Sequence, residues 1–211
     1  MEKILVVGAT GTTGKKIVQL LKSSTYFEPI AMVRKESQVK DFSEQQVKTV
    51  LADLEGDVSL TTNHIDKVIF AAGSGGKKVI EIDQEGAKKM IDASKQNTVK
   101  KFIMLSSMGA EQPEKASDLQ DYLKAKHHAD EYLKQSKVPY AIVRPGALTN
   151  DPGNQKIEIG TSLNKSGSIS RDDVAQVLTR MLHDDAALNT SFEILSGDML
   201  IGKALDSIRN H

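Results

Sequence analysis

The chain has 211 residues, no cysteine, and equal totals of Lys plus Arg and of Asp plus Glu, 28 each. A formal net charge of zero leaves no overall field to gather nucleic acid or an anionic membrane, and the lack of cysteine excludes thiolate catalysis and Cys-based zinc sites. A chain of this length buries well over half of the surface its unfolded form exposes, so it needs neither disulfides nor a structural metal, and a single domain over residues 1–211 is expected.

The first apolar run lasts only about five residues before glycines intervene, too short for a signal peptide or a membrane span, and a cytoplasmic protein is expected. Continuous apolar runs then recur at residues 4–7, 30–33, 47–51, 68–72, 102–105 and 140–143. They lack the polar alternation of a half-exposed strand and read as buried parallel strands with helices on both faces. Helical spacing fills the intervals, as at Ile17, Val18, Leu20 and Leu21, or Ala87, Met90, Ile91 and Ala93. Residues 119–136 read as a long helix, with Leu119, Tyr122, Leu123, Ala129, Tyr132 and Leu133 as its stripe. Ser170 and Asp173 form a capping-box-like start to another helix, where Asp172 and Asp173 offset the helix dipole. A strand at 192–195 and a short helix at 201–208 close the chain, and residues 149–168 read as its longest irregular stretch. This βα alternation predicts a three-layer α/β/α sandwich with a mostly parallel, doubly wound sheet.

The first run enters Gly8-Ala-Thr-Gly11-Thr-Thr-Gly14 and then a helical pattern, which is GxxGxxG in its strand-turn-helix setting. Glycines there permit the tight turn and close approach to a pyrophosphate, while the helix N-terminus offers unpaired N–H groups. Gly8, Thr10, Gly11, Thr12, Thr13 and Gly14 are the predicted dinucleotide contacts. The second strand ends in Arg34 rather than an acid. An arginine there suits the 2′-phosphate of NADP(H), so NADP(H) is preferred and NAD(H) is the alternative.

With these residues, Asp53-Leu54 and Tyr122-Leu-Lys-Ala-Lys126 in view, the chain resembles the short-chain dehydrogenase/reductase superfamily. The likeness is greatest to its atypical NAD(P)-binding, Rossmann-fold members, similar to NmrA-like proteins and small flavin or biliverdin reductases. The resemblance implies that Asp53 and Leu54 lie beside the adenine, that Ala71, Ala72 and Gly73 pass under the cofactor ribose, and that Pro145, Ala147 and Leu148 run along the nicotinamide. It also implies a catalytic set of Ser107, Tyr122 and Lys126, with Ser106 as the fallback serine. Tyr122 and Lys126 are four apart and share a helix face, and an ammonium near a phenol favours the ionised form. The family's Asn-Ala-Gly signature is replaced by Ala71-Ala-Gly-Ser-Gly-Gly, and no residue stands out as the helix asparagine of the classical proton relay.

The implied function is NADP(H)-dependent reduction of a small carbonyl, quinone or flavin-like substrate. A non-catalytic NADP(H) redox sensor with a protein partner is the alternative, and a nucleotide-sugar epimerase or dehydratase the weaker one. Loops near 73–78, 109–118 and 148–168 would form the substrate pocket. No metal site is expected: His127 and His128 are adjacent, so they face apart and read as an exposed pair. Lys77-Lys78, Lys88-Lys89 and Lys100-Lys101 read as solvated charge, although Lys77 or Lys78 could line the substrate mouth. No heptad or apolar surface stripe announces an interface, leaving monomer and homodimer open.

Overall fold

The computed structural model describes residues 1–209. In chain order the elements are β1 (Glu2–Val7), α1 (Thr12–Lys22), β2 (Phe27–Val33), α2 (Glu36–Glu44), β3 (Lys48–Leu51) and β4 (Lys67–Phe70). A stretch of wide π-type turns over Val79–Gly86 then runs into α3 (Ala87–Gln96), followed by β5 (Lys101–Leu105), α4 (Gln120–Gln135) and β6 (Tyr140–Pro145). The remainder comprises β7 (Ala147–Thr149), β8 (Lys156–Gly160), β9 (Ser168–Ser170), α5 (Arg171–Arg180), β10 (Thr190–Ser196), β11 (Met199–Leu200) and α6 (Ile201–Ser207).

The main sheet has nine strands in the order β11-β8-β10-β6-β5-β4-β1-β2-β3. Pairing is parallel from β3 through to β10, and antiparallel where β8 joins β10 and β11. Successive residues of β1 feed opposite cores, as strand geometry requires. Ile4 and Val6 pack with residues of α1, α2, α5 and α6, whereas Leu5 and Val7 pack with residues of α3 and α4. The result is the expected three-layer sandwich.

The order of strands reverses between β1 and β4, the position at which open α/β sheets leave a crevice at the carboxyl ends. Register brings the two ends level: Val7 pairs with Phe70, and Ala71 N–H donates to the Val7 carbonyl at 2.9 Å. Gly8 and Ala71 therefore meet at the head of the crevice.

Several sequence readings need correction. Residues 149–168 are not irregular throughout, because Lys156-Ile-Glu-Ile-Gly160 alternates with period two and forms β8, with Ile157 fully buried. Leu119 is not part of the helix stripe; it precedes α4 with φ +58° and is 71% exposed. The third apolar run is an edge strand, so β3 is only half-buried. Lys101 is not solvated: it enters β5 beside Lys67 of β4, and burial, reinforced by the Lys67 charge, lowers its pKa to about 8. Ser170 does cap α5, accepting from Asp173 N–H.

Candidate functional site

Gly8 sits at φ +86°, and a Cβ there would lie 2.6 Å from the Ala72 nitrogen. Only glycine lets β1 turn so close to the end of β4. Gly14, buried in the first turns of α1, faces the Gly8 carbonyl at a distance that a Cβ would close entirely. Gly11 is the N-cap of α1, no side chain caps that terminus, and its first turn carries no acidic residue. The helix start is thus left with bare N–H donors and a partial positive charge, which fits an anionic diphosphate.

A cavity of about 350 Å³ opens beside this loop. Of the predicted cofactor residues, Gly8, Thr10, Gly11, Arg34, Leu54, Ala71, Ala72 and Gly73 line it. Its walls also include Lys77 and Lys78, which the sequence reading assigned to solvated surface or the substrate mouth. Lys78 is held at 2.7 and 2.8 Å by the two carboxylate oxygens of Glu55, an ion pair that spans from the turn after β3 to the loop after β4. That turn is pinned from below by Lys89, whose ammonium donates to the carbonyls of Leu54, Glu55 and Gly56 at 3.0 to 3.1 Å. Asp53 is not in the lining; its carboxylate accepts the Glu55 N–H and shapes the turn. The Arg34 and Lys35 N–H groups both donate to Gln38 Oε1, fixing the corner from which the Arg34 side chain leaves.

Thr12 is exposed at the start of α1 and Thr13 is buried behind it. Neither lines the cavity, nor does Gly14. Pro145, Ala147 and Leu148 lie along the end of β6 and in β7, where the Pro145 carbonyl accepts the Met108 N–H at 3.0 Å. Pro145 thus meets the loop after β5, while Ala147 and Leu148 pair with β9 and Leu148 packs toward the core shared by α1 and α5.

A second group of polar side chains centres on Lys126. Its side chain is buried on the inner face of α4 rather than solvated. Its ammonium donates to the Leu105 carbonyl at 3.3 Å, lies 3.2 Å from Asp83 Oδ1, and stands 5.6 Å from the centre of the Tyr122 ring. Tyr122 and Lys126 thus share the face the spacing predicted. Burial alone would lower the Lys126 pKa, but Tyr122, Asp83 and Asp130 together reverse that and raise it above the ordinary lysine value. Ser107 is half-buried with its hydroxyl donating to the Met108 carbonyl at 3.2 Å. Ser106 is engaged elsewhere: it donates to Asp130, which also pairs with the fully buried Arg144 at 3.0 Å. His127 is half-buried rather than exposed, with Nδ1 2.8 Å from the Ala110 carbonyl, while His128 meets Gln84.

Asp83 and Asp130 were both overlooked in the sequence. Each carried a legible signal, a carboxylate on an apolar helical stripe: Asp83 in line with Ala87, Met90 and Ile91, and Asp130 with Leu123, Ala129 and Leu133.

The chain matches the model of a family described as NAD(P)H-binding over residues 8–185. A Bacillus subtilis relative named uncharacterized sugar epimerase YhfK is 36% identical, covering 98% of this chain and all of its own. The crystal structure of the oxidoreductase ylbE from Lactococcus lactis is 33% identical, covers 99% of this chain and 97% of its own, and superposes with a TM-score of 0.91. Sanguinarine reductase of Eschscholzia californica is 25% identical over 95% of this chain and 91% of its own. The glycine loop, the crevice at the strand-order switch and these matches lead to one statement: the chain belongs to the NAD(P)H-binding family, with a Rossmann fold that takes a nicotinamide cofactor.

Proposed function

We propose that this protein is an NADPH-dependent reductase of a small carbonyl, quinone or flavin-like acceptor. The observation that carries the reading is the buried Lys126 ammonium facing the Tyr122 ring, at the same carboxyl edge of the sheet as the glycine loop. A buried ammonium held beside a phenol has little structural value for its cost, but it stabilises negative charge as the phenol gives up its proton.

NADPH, when bound, supplies the hydride. Tyr122 donates the proton from its hydroxyl to the acceptor oxygen, so the acceptor gains two electrons and two hydrogens in all. Lys126 stabilises the phenolate left behind, and Ser107, once turned from the Met108 carbonyl, hydrogen-bonds the acceptor oxygen. The loops 73–78, 109–118 and 148–168 shape the acceptor pocket. Tyr122→Phe is expected to lower NADPH oxidation by about 10²- to 10⁴-fold, the usual worth of a positioned general acid, with nucleotide affinity unchanged by calorimetry. Wild-type protein that binds NADPH but oxidises none across a panel of carbonyls, quinones and flavins would sink the reading.

The preference for NADPH rests on Arg34, which lines the cavity at the end of β2. In parallel titrations, Arg34→Ala is expected to weaken NADPH by roughly 10- to 100-fold, the worth of a charge-assisted hydrogen bond. NADH binding should stay as it was, and equal losses for both nucleotides would refute the assignment.

The name of the B. subtilis relative favours a second reading, sugar-nucleotide epimerisation. It predicts conversion of a nucleotide sugar with no net consumption of cofactor, the opposite outcome in the same assay.

A further inference from the structure

Asp83 is fully buried on the wide-turned segment before α3, a kind of helical distortion that is common at functional sites. Its Oδ2 receives the Ser74 N–H and hydroxyl at 3.0 and 2.8 Å, and its Oδ1 lies 3.2 Å from the Lys126 ammonium. Ser74 lines the cofactor cavity, and Gly73 packs so close that a Cβ there would stand 3.2 Å from Asp83 Oδ1. One carboxylate therefore ties the cavity wall to the ammonium beneath Tyr122. We propose that Asp83 is the positioning residue of the proton-transfer site, holding Lys126 charged and aimed at Tyr122.

This assignment rests on the reductase reading. The groups that face Lys126 come from three directions. The wide-turned segment contributes Asp83, β5 contributes the Leu105 carbonyl, and α4 itself contributes Tyr122 and Asp130. Asp130 is already committed to Ser106 and to Arg144 of β6, and Arg144 in turn meets Glu111. A phenol carries charge only after losing its proton. Until then Asp83 is the one of these carboxylates in contact with Lys126, and its charge offsets the burial that would otherwise neutralise the amine.

The test is a side-chain NMR titration of Lys126 in the isotope-labelled full chain, with Lys126→Arg to assign the signal, comparing wild type with Asp83→Asn. The midpoint is expected to fall by more than about one pH unit in the Asn variant, given the shifts seen for buried lysines. The alkaline limb of NADPH oxidation should move down with the midpoint. An unchanged midpoint overturns the proposal. If Asp83→Asn does not fold, Asp83→Asn with Lys126→Met, which removes both charges, should recover folding; a double variant no more stable than the single also overturns it. The titration needs no acceptor, so absent wild-type turnover would defeat the reductase reading alone, and turnover with an unshifted Lys126 would defeat this proposal alone.

Discussion

Gly8→Ala is expected to abolish measurable NADPH binding and to lower stability by roughly 3 kcal/mol. The backbone there is at φ +86°, which costs a residue with a Cβ about 1–2 kcal/mol. The new methyl would also stand 2.6 Å from the Ala72 nitrogen and 2.7 Å from the Ala71 carbonyl. Relieving that overlap adds about 1–3 kcal/mol, because the ends of β1 and β4 must part. The same movement displaces the N-cap of α1, since the Gly11 N–H donates to the Gly8 carbonyl at 3.0 Å. Phosphate recognition depends on that geometry, so affinity should fall by more than about 100-fold. Urea denaturation followed by calorimetry on the folded fraction checks both parts. A variant with wild-type stability and affinity would show that the loop is not the nucleotide cradle.

Asp130→Ala is expected to be the most destabilising single change, at about 3–5 kcal/mol. Arg144 is fully buried, and its Nε–H donates to Asp130, leaving the partly exposed Glu111 as its other carboxylate. Removing Asp130 leaves a permanently charged guanidinium half-paired in the core and strands the Ser106 hydroxyl as well. Burial pushes the Asp130 carboxyl above its usual range, against Arg144, Ser106 and Lys126, which pull it down. The urea midpoint should drop with no change in slope. Arg144→Met in the same chain should restore part of the loss, because the uncompensated charge is then gone. A single variant within about 1 kcal/mol of wild type would mean the network is solvated.

Asp130 also bears on the site, since it follows Lys126 by one turn and stands beneath the end of β5. Tyr122, Lys126 and Asp130 recur every four residues on α4, so a helix read only for apolar stripes passes over its polar spine. The stripe that includes Leu119 and Tyr132 is displaced from the buried one, which contains Leu123, Ala125, Lys126, Ala129, Asp130 and Leu133. Charged residues buried in pairs defeat a hydropathy reading because their partners lie on other elements: Asp83 for Lys126, Arg144 for Asp130, and Glu2 and Asp184 for Lys67.

What the sequence determined by itself was everything carried by local pattern. The run of β1 into Gly8, Gly11 and Gly14 and then into α1 announces its own turn, because backbone conformation and strand burial are set within a few residues. The parallel strands, the helices between them and the Ser170 cap were legible for the same reason. Only the tertiary structure decided which side chains meet. It inserted β8 against β10 through the antiparallel pairing of a weakly apolar segment, made an edge of β3, and buried Lys101. It brought Lys77 and Lys78 to the cavity beside the glycine loop and set Asp83 between Ser74 and Lys126. Those contacts join residues tens of positions apart, and their energies depend on burial and on the charge opposite, quantities that exist only once the layers have packed.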